Sequence, residues 1–71
     1  MLGKFKGVEQ MTMDRGIRYK VSIGGIYFII SDKVNFIPNQ YVYLWVYSNG
    51  LRKLTQVDSK GNLIEVIAHD K

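Results

Sequence analysis

The chain contains no cysteine, a single histidine and a single proline in 71 residues. Without cysteine it can form neither a disulfide nor a thiolate metal site, and His69 alone provides no cluster of nitrogen ligands. The composition therefore predicts that the protein uses no metal and no cofactor. Because small secreted domains usually carry disulfides, the absence of cysteine also predicts a cytoplasmic protein.

Long apolar segments are missing as well. No run approaches the ~18 residues that identify a membrane-spanning helix, and the first seven residues, Met1 to Gly7, lack the apolar region of a signal peptide behind them. We therefore expect no contact with a membrane. A chain of this length is expected to form one small domain over residues 1–71.

Acidic residues are few, with six Asp and Glu against ten Lys and Arg, a net charge of +4 and a pI near 9.5. Such an excess of positive charge is compatible with nucleic-acid binding but does not by itself indicate it. Asp14, Asp32 and Asp58 fall in predicted turns, where aspartate bonds its own backbone. No pair of Asp or Glu residues lies with a nucleophile or base, so we expect no enzyme, no catalytic residue and no small-molecule substrate.

Short segments that alternate with a period of two make up most of the chain, as expected for β-strands. Asp14-Arg15-Gly16, Gly24-Gly25 and Asn49-Gly50 are hairpin signals between such segments. Helical periodicity is weak everywhere, and its best candidate is one turn between Asp32 and Phe36. The predicted strands cover about residues 4–13, 17–23, 26–31, 40–48, 51–57 and 63–68.

Strands of this number and length predict an all-β fold, a small barrel of five or six strands, because closure removes exposed sheet edges. An OB-like barrel fits best, with a three-stranded meander, a connector over residues 32–39 and a final hairpin; an SH3-like barrel is the alternative. Met11 and Met13 are expected to fill gaps in the core. Because it contains Leu63, Ile64, Val66 and Ile67, the last strand is expected to be buried on both faces.

The first third of the chain resembles a known family. The opening Met1-Leu2-Gly3-Lys4-Phe5-Lys6-Gly7 is similar to that of the RuvA Holliday-junction protein family, and residues 21–30 resemble the strand–Gly–strand element of the same family. The resemblance covers about residues 1–31 and implies an OB-fold barrel, which in that family helps to form a tetramer on four-way junction DNA. An acidic pin of the family should fall near residues 48–53, which contain no acid here. The resemblance therefore implies the fold and no junction-processing role.

The segment Gln40 to Ser48 places four aromatic residues on one face of a predicted strand and three aliphatic residues on the other. The aromatic face has three interpretations: part of the core, a stacking platform for bases, or a protein interface. Because the aliphatic face already suits a core, we favour exposed rings, and because no cation lies within the strand, we favour a protein contact for this row. The proposed interface residues are Tyr41, Tyr43, Trp45 and Tyr47.

Basic residues also share strand faces. Lys4 and Lys6 lie on one face of the first predicted strand, and Arg18 and Lys20 on one face of the second. A basic stripe beside an aromatic ring is typical of single-stranded nucleic-acid sites, although a solvated polar face is the simpler interpretation. The proposed nucleic-acid-binding residues are Lys4, Lys6, Arg18, Lys20 and Tyr27, with Arg52 and Lys53 on a flanking loop.

Two functions follow from these patterns. The first is a non-catalytic, OB-like nucleic-acid-binding module for single-stranded or structured DNA. The alternative is a small protein–protein interaction or assembly module, such as an accessory or inhibitor protein, that acts through the exposed aromatic strand. The partner is then either another protein or a second copy of the chain.

Overall fold

The computed structural model describes residues 2–68. His69, which the sequence places in a frayed tail, lies outside the described residues. Across the described residues there are six strands and no helix, which confirms the all-β prediction. The strands are β1 (Leu2–Met13), β2 (Gly16–Ile23), β3 (Ile26–Ile30), β4 (Tyr41–Val46), β5 (Arg52–Val57) and β6 (Leu63–Ala68).

All six strands belong to one antiparallel sheet with the order β3-β2-β1-β4-β5-β6. The long β1 joins two three-stranded meanders. Its residues 2–4 pair with β4, and its residues 5–13 pair with β2. A register shift between Phe5 and Gly7 marks a β-bulge, which increases bending and twist at the point where β1 changes partner.

The sheet curls, and its edge strands β3 and β6 approach each other. No ladder of hydrogen bonds joins these two edges, so the sheet is not closed, and the predicted OB-like barrel is not confirmed. The connector between β3 and β4 contributes Val34 and Phe36 to the interior, where Phe36 packs edge-on against Phe5 with ring centroids 5.6 Å apart.

The core lies on the inner face of the curled sheet and draws on every strand as well as the connector. The polar residue Gln56 is also buried on this face, with 1% of its surface exposed. Its side-chain oxygen accepts a hydrogen bond from the Ile37 amide at 2.6 Å, and its amide nitrogen donates to the Ile37 carbonyl at 3.0 Å. Gln56 therefore fastens the connector to β5. The buried hydrophobic residues are Phe5, Val21, Ile23, Phe28, Ile29, Ile30, Val34, Phe36, Val42, Leu54, Val66 and Ala68.

Some side chains lie where the sequence did not predict them. Met11 is only partly buried and Met13 is exposed, because β1 and β2 extend beyond the core as a hairpin arm. Leu63 and Ile67 are exposed on β6, so the last strand is buried on one face only. The β4–β5 hairpin also turns earlier than expected: the turn spans 47–50, closed by a hydrogen bond from the Gly50 amide to the Tyr47 carbonyl at 2.9 Å.

Candidate functional site

The face of the sheet that points away from the core, called the outer face below, carries most of the predicted site residues. Residues that are directly paired across two strands lie on the same face. Lys4 is paired with Tyr41, and Trp45 with Lys53. On the other half of the sheet, Ser22 is paired with Tyr27. One sheet face therefore holds the aromatic residues together with Lys4 and Lys53.

The aromatic row, defined as Tyr41, Tyr43, Trp45 and Tyr47, is exposed. The four residues are between 42% and 53% exposed, and Trp45, at 53%, is the most exposed of them. The first three rings lie in β4 and Tyr47 follows it immediately. Alternate residues of a strand are about 6.8 Å apart, so these rings form a ladder on the outer face. The preference for exposed rather than buried rings is confirmed.

Cations flank the aromatic row at both ends, although none occurs in its sequence. The Lys4 ammonium lies 5.5 Å from the centroid of the Tyr41 ring, and the Lys53 ammonium lies 5.8 Å from that of Tyr47. Both distances are within the range of cation–π attraction. The sequence did not reveal this arrangement because Lys4 and Tyr41 are far apart in the chain. Only the pairing of β1 with β4 brings them together. The row is therefore part of a mixed basic and aromatic surface.

The Trp45 ring is held in place by a hydrogen bond. Its indole nitrogen donates to the hydroxyl oxygen of Thr55 on β5 at 2.8 Å, and Thr55 is only 6% exposed. A buried acceptor fixes the nitrogen edge of the indole, so the ring extends from β4 across β5. Thr55 was not identified from the sequence. It is recognised from its register opposite Tyr43, which the structure shows.

A second cluster lies on the half of the outer face formed by β1, β2 and β3. The Lys20 ammonium lies 4.6 Å from the centroid of the exposed Tyr27 ring. Arg18 is partly exposed, and its guanidinium donates to the carbonyl of Ile17 at 2.9 Å. Lys6 is exposed in the β1 bulge, between this cluster and Lys4. The register thus places Lys4, Arg18, Lys20 and Tyr27 on the outer face, whereas Lys6 is the bulge residue itself and has no register partner that assigns it to a face.

Arg52 and Lys53 were predicted to act together from a flanking loop, but both lie in β5 and point to opposite faces. Arg52 is paired with Val46 and Ala68, and its guanidinium lies 5.4 Å from the Phe28 ring on the inner side. Consecutive residues of a strand alternate between faces, so only Lys53 reaches the outer face. Arg52 is therefore not part of the outer-face site.

Lys53 forms an ion pair with Glu65. Its ammonium donates to Glu65 Oε1 at 3.0 Å across β5 and β6. The hydrogen bond to Glu65, followed by one to Tyr47, raises the pKa of Lys53 above its ordinary value of 10.5. Near this pair a shallow cavity of about 200 Å³ opens between the connector and β6, where it is lined by Asp32, Lys33 and Ile67 among others. Lys53 is thus charged but partly neutralised.

Two further observations limit the chemistry of the site. Among residues 2–68, no group of three or more His, Asp or Glu side chains could hold a metal ion. Within the same residues, no helix is long and apolar enough to cross a membrane. Comparisons with known proteins found no matching family, no matching curated protein and no matching solved structure.

Proposed function

We propose that the protein is a non-catalytic nucleic-acid-binding module that holds single-stranded or structured DNA on the outer face of its sheet. One observation carries the proposal: exposed rings and cations occur together on that face. Lys4 contacts Tyr41, Lys53 contacts Tyr47, and Lys20 contacts Tyr27. Cations in such a surface follow the phosphates while the rings stack on unpaired bases.

The energetics of this surface favour a single strand over a duplex. Each base that stacks on an aromatic ring contributes about 1–3 kcal/mol, and only unpaired bases expose a ring face for stacking. Lys4, Lys6, Arg18 and Lys20 provide four cations for phosphate contacts. A duplex could use those cations but not the rings, so single-stranded segments should bind more tightly.

The arrangement of strands supports the same proposal. A long, bent first strand that pairs with strands of both meanders is compatible with an OB-like barrel, and OB-like barrels commonly bind oligonucleotides. The resemblance of residues 1–31 to the RuvA family agrees with this interpretation. We propose a binding role without chemistry, because the outer face is dominated by lysines and rings, and its Lys53–Glu65 contact is a surface ion pair. The cysteine-free composition favours a cytoplasmic setting.

A titration with a fluorescently labelled thymidine 12-mer tests the proposal by anisotropy at 50 and 200 mM salt, concentrations chosen from the range over which phosphate contacts are lost. Four phosphate contacts predict a slope of about −2.8 in the logarithm of the binding constant against the logarithm of salt concentration. The affinity should then fall about 50-fold between the two conditions. No detectable binding in the lower salt would refute the proposed function.

Charge variants show whether the outer face carries the binding. Lys4→Ala combined with Lys20→Ala should reduce the salt slope by about 1.4, because each contact with a single strand contributes about 0.7. The matched control combines Arg15→Ala with Lys60→Ala, which removes the same charge from two exposed turns. A control that weakens binding as much as the outer-face variant would contradict the proposed surface.

A second candidate function, protein interaction or assembly, is favoured by one specific observation. The aliphatic side chains Val57, Leu63 and Ile67 are exposed on the outer face beside the aromatic row. Rings next to exposed aliphatic residues resemble the centre of a protein interface, where charged residues are depleted. Sedimentation of the purified chain over a range of concentrations tests for self-association, and capture of a defined protein partner through this surface would support the same function.

A further inference from the structure

Four side chains on the outer face form a compact group, called the Trp45 quartet below: Trp45, Lys53, Thr55 and Glu65. Trp45 is paired with Lys53, and Thr55 is paired with Glu65, so the group occupies two successive rungs of the outer face. Two hydrogen bonds close it, from the indole to Thr55 at 2.8 Å and from Lys53 to Glu65 at 3.0 Å.

The quartet determines where the edge of a stacked ligand would lie. Since the indole nitrogen is tied to Thr55, the ring extends toward β5, and β6 is one strand further, about 4.8 Å away. A flat ring on the exposed indole would therefore have one edge over the Lys53–Glu65 pair. The Glu65 side chain is 46% exposed, so its carboxylate is accessible from above.

We propose, as an extension of the proposed function, that Trp45 stacks on a base of the bound strand and that Glu65 and Lys53 select guanine. Guanine presents two adjacent donors, N1–H and the 2-amino group, that match the two oxygens of one carboxylate. Its O6 carbonyl lies next to them and accepts a hydrogen bond from the Lys53 ammonium. Hydrogen bonds to charged groups are stronger than neutral ones, and unstacked bases are commonly read along this edge.

The other bases match the quartet less well. Thymine and uracil have one N–H between two carbonyls, which a carboxylate repels. Adenine and cytosine each place one amino group beside an acceptor nitrogen, so they offer a single donor to Glu65. The raised pKa of Lys53 keeps the ammonium charged, which suits a carbonyl acceptor. Guanine therefore gains the largest number of charge-assisted bonds.

Binding of two nonamers tests the assignment: an all-thymidine strand and the same strand with guanine at its central position. The native protein should bind the guanine strand about tenfold more tightly, the discrimination of a good bidentate contact. Inosine at the same position lacks the 2-amino group and should lose most of that gain. The chain has one tryptophan, so quenching of its fluorescence reports stacking on Trp45 directly.

The variant Glu65→Gln should abolish the preference for guanine and bind the all-thymidine strand more tightly, because one carboxylate no longer repels phosphates. Surface ion pairs contribute little to stability, so this variant should fold. Glu9→Gln is the matched control, since it removes the same charge from an exposed position on β1 and should keep the preference.

Four results would overturn the inference. Equal affinity of the native protein for the two nonamers would refute guanine selection and leave the proposed function intact. A preference that survives Glu65→Gln would remove Glu65 from recognition. If free guanosine monophosphate competes as strongly as the guanine nonamer, the site binds a free nucleotide and not a base within a strand. If neither nonamer binds, the proposed function fails first, and this inference fails with it.

Discussion

Replacement of Trp45 by alanine separates a surface role of the aromatic row from a structural one. The indole is 53% exposed, so about half of its surface, ~100 Å², is buried against neighbours. At ~25 cal/mol per Å², the loss of this burial costs about 2.5 kcal/mol. Loss of the hydrogen bond to Thr55 adds about 1 kcal/mol. The total of about 3.5 kcal/mol is an upper value, because unfolded chains already bury part of this surface.

A domain of this length has a free energy of unfolding of about 4–10 kcal/mol, so Trp45→Ala should remain folded. Its melting temperature should fall by about 15–25 °C, and binding is best measured near 15 °C, where small domains are most stable. Loss of one stacked base should weaken binding of a single strand by about 5- to 150-fold. Circular dichroism melting and fluorescence anisotropy measure the two effects separately.

Two control variants make this result specific to the ring. Trp45→Phe keeps a stacking surface and should retain most of the affinity, whereas Val57→Ala removes an exposed aliphatic group of the outer face and should leave affinity unchanged. The reasoning is refuted if Trp45→Ala is folded and keeps the native affinity, salt dependence and sedimentation behaviour. If it loses self-association instead of nucleic-acid binding, the protein-interaction function replaces the first proposal.

Two further predictions concern stability and ionisation. Gln56→Leu should lower the free energy of unfolding by about 1–3 kcal/mol, because the part-buried amide of Ile37 loses its acceptor and the Ile37 carbonyl keeps only the 3.4 Å bond from the Gln40 amide; a loss under about 0.5 kcal/mol in chemical denaturation would contradict the role of Gln56. The Lys53 ammonium should titrate above 10.5 by nitrogen NMR, and Glu65→Gln should lower that pKa. Because the folded pKa is raised, the Lys53 contribution to stability is complete below the unfolded pKa and disappears as pH rises through the folded one.

The strands could be predicted from the sequence because alternation and turn residues are local signals. Residues 63–68 were predicted as a strand and form β6, and the other predicted boundaries differ from the structure by no more than two residues. Alternation along a strand also predicts that Arg52 and Lys53 point to opposite faces. This was missed because the two residues were assigned to a flanking loop. The exposed Leu63 and Ile67 were missed because an apolar run does not reveal how many neighbours cover it.

Long-range pairing could not be predicted. The contact between Lys4 and Tyr41 depends on the register of β1 against β4, and nothing local in either segment specifies that register. The same limit applies to sheet closure, because the approach of β3 to β6 depends on the accumulated bend and twist of the other strands. Consequently no cation was expected beside the aromatic row, whereas the fold brings Lys4 to one end of it and Lys53 to the other.

The two candidate functions compete for one surface. A protein that packs on Val57, Leu63 and Ile67 would cover the Trp45 quartet, which lies on the same strands of the outer face. Trp45 cannot stack on a base and on a protein partner at the same time. If the chain does self-associate through this face, a single strand must therefore dissociate the assembly, and higher protein concentration must weaken strand binding. If strand binding does not change with protein concentration while the chain associates, the two partners occupy separate surfaces.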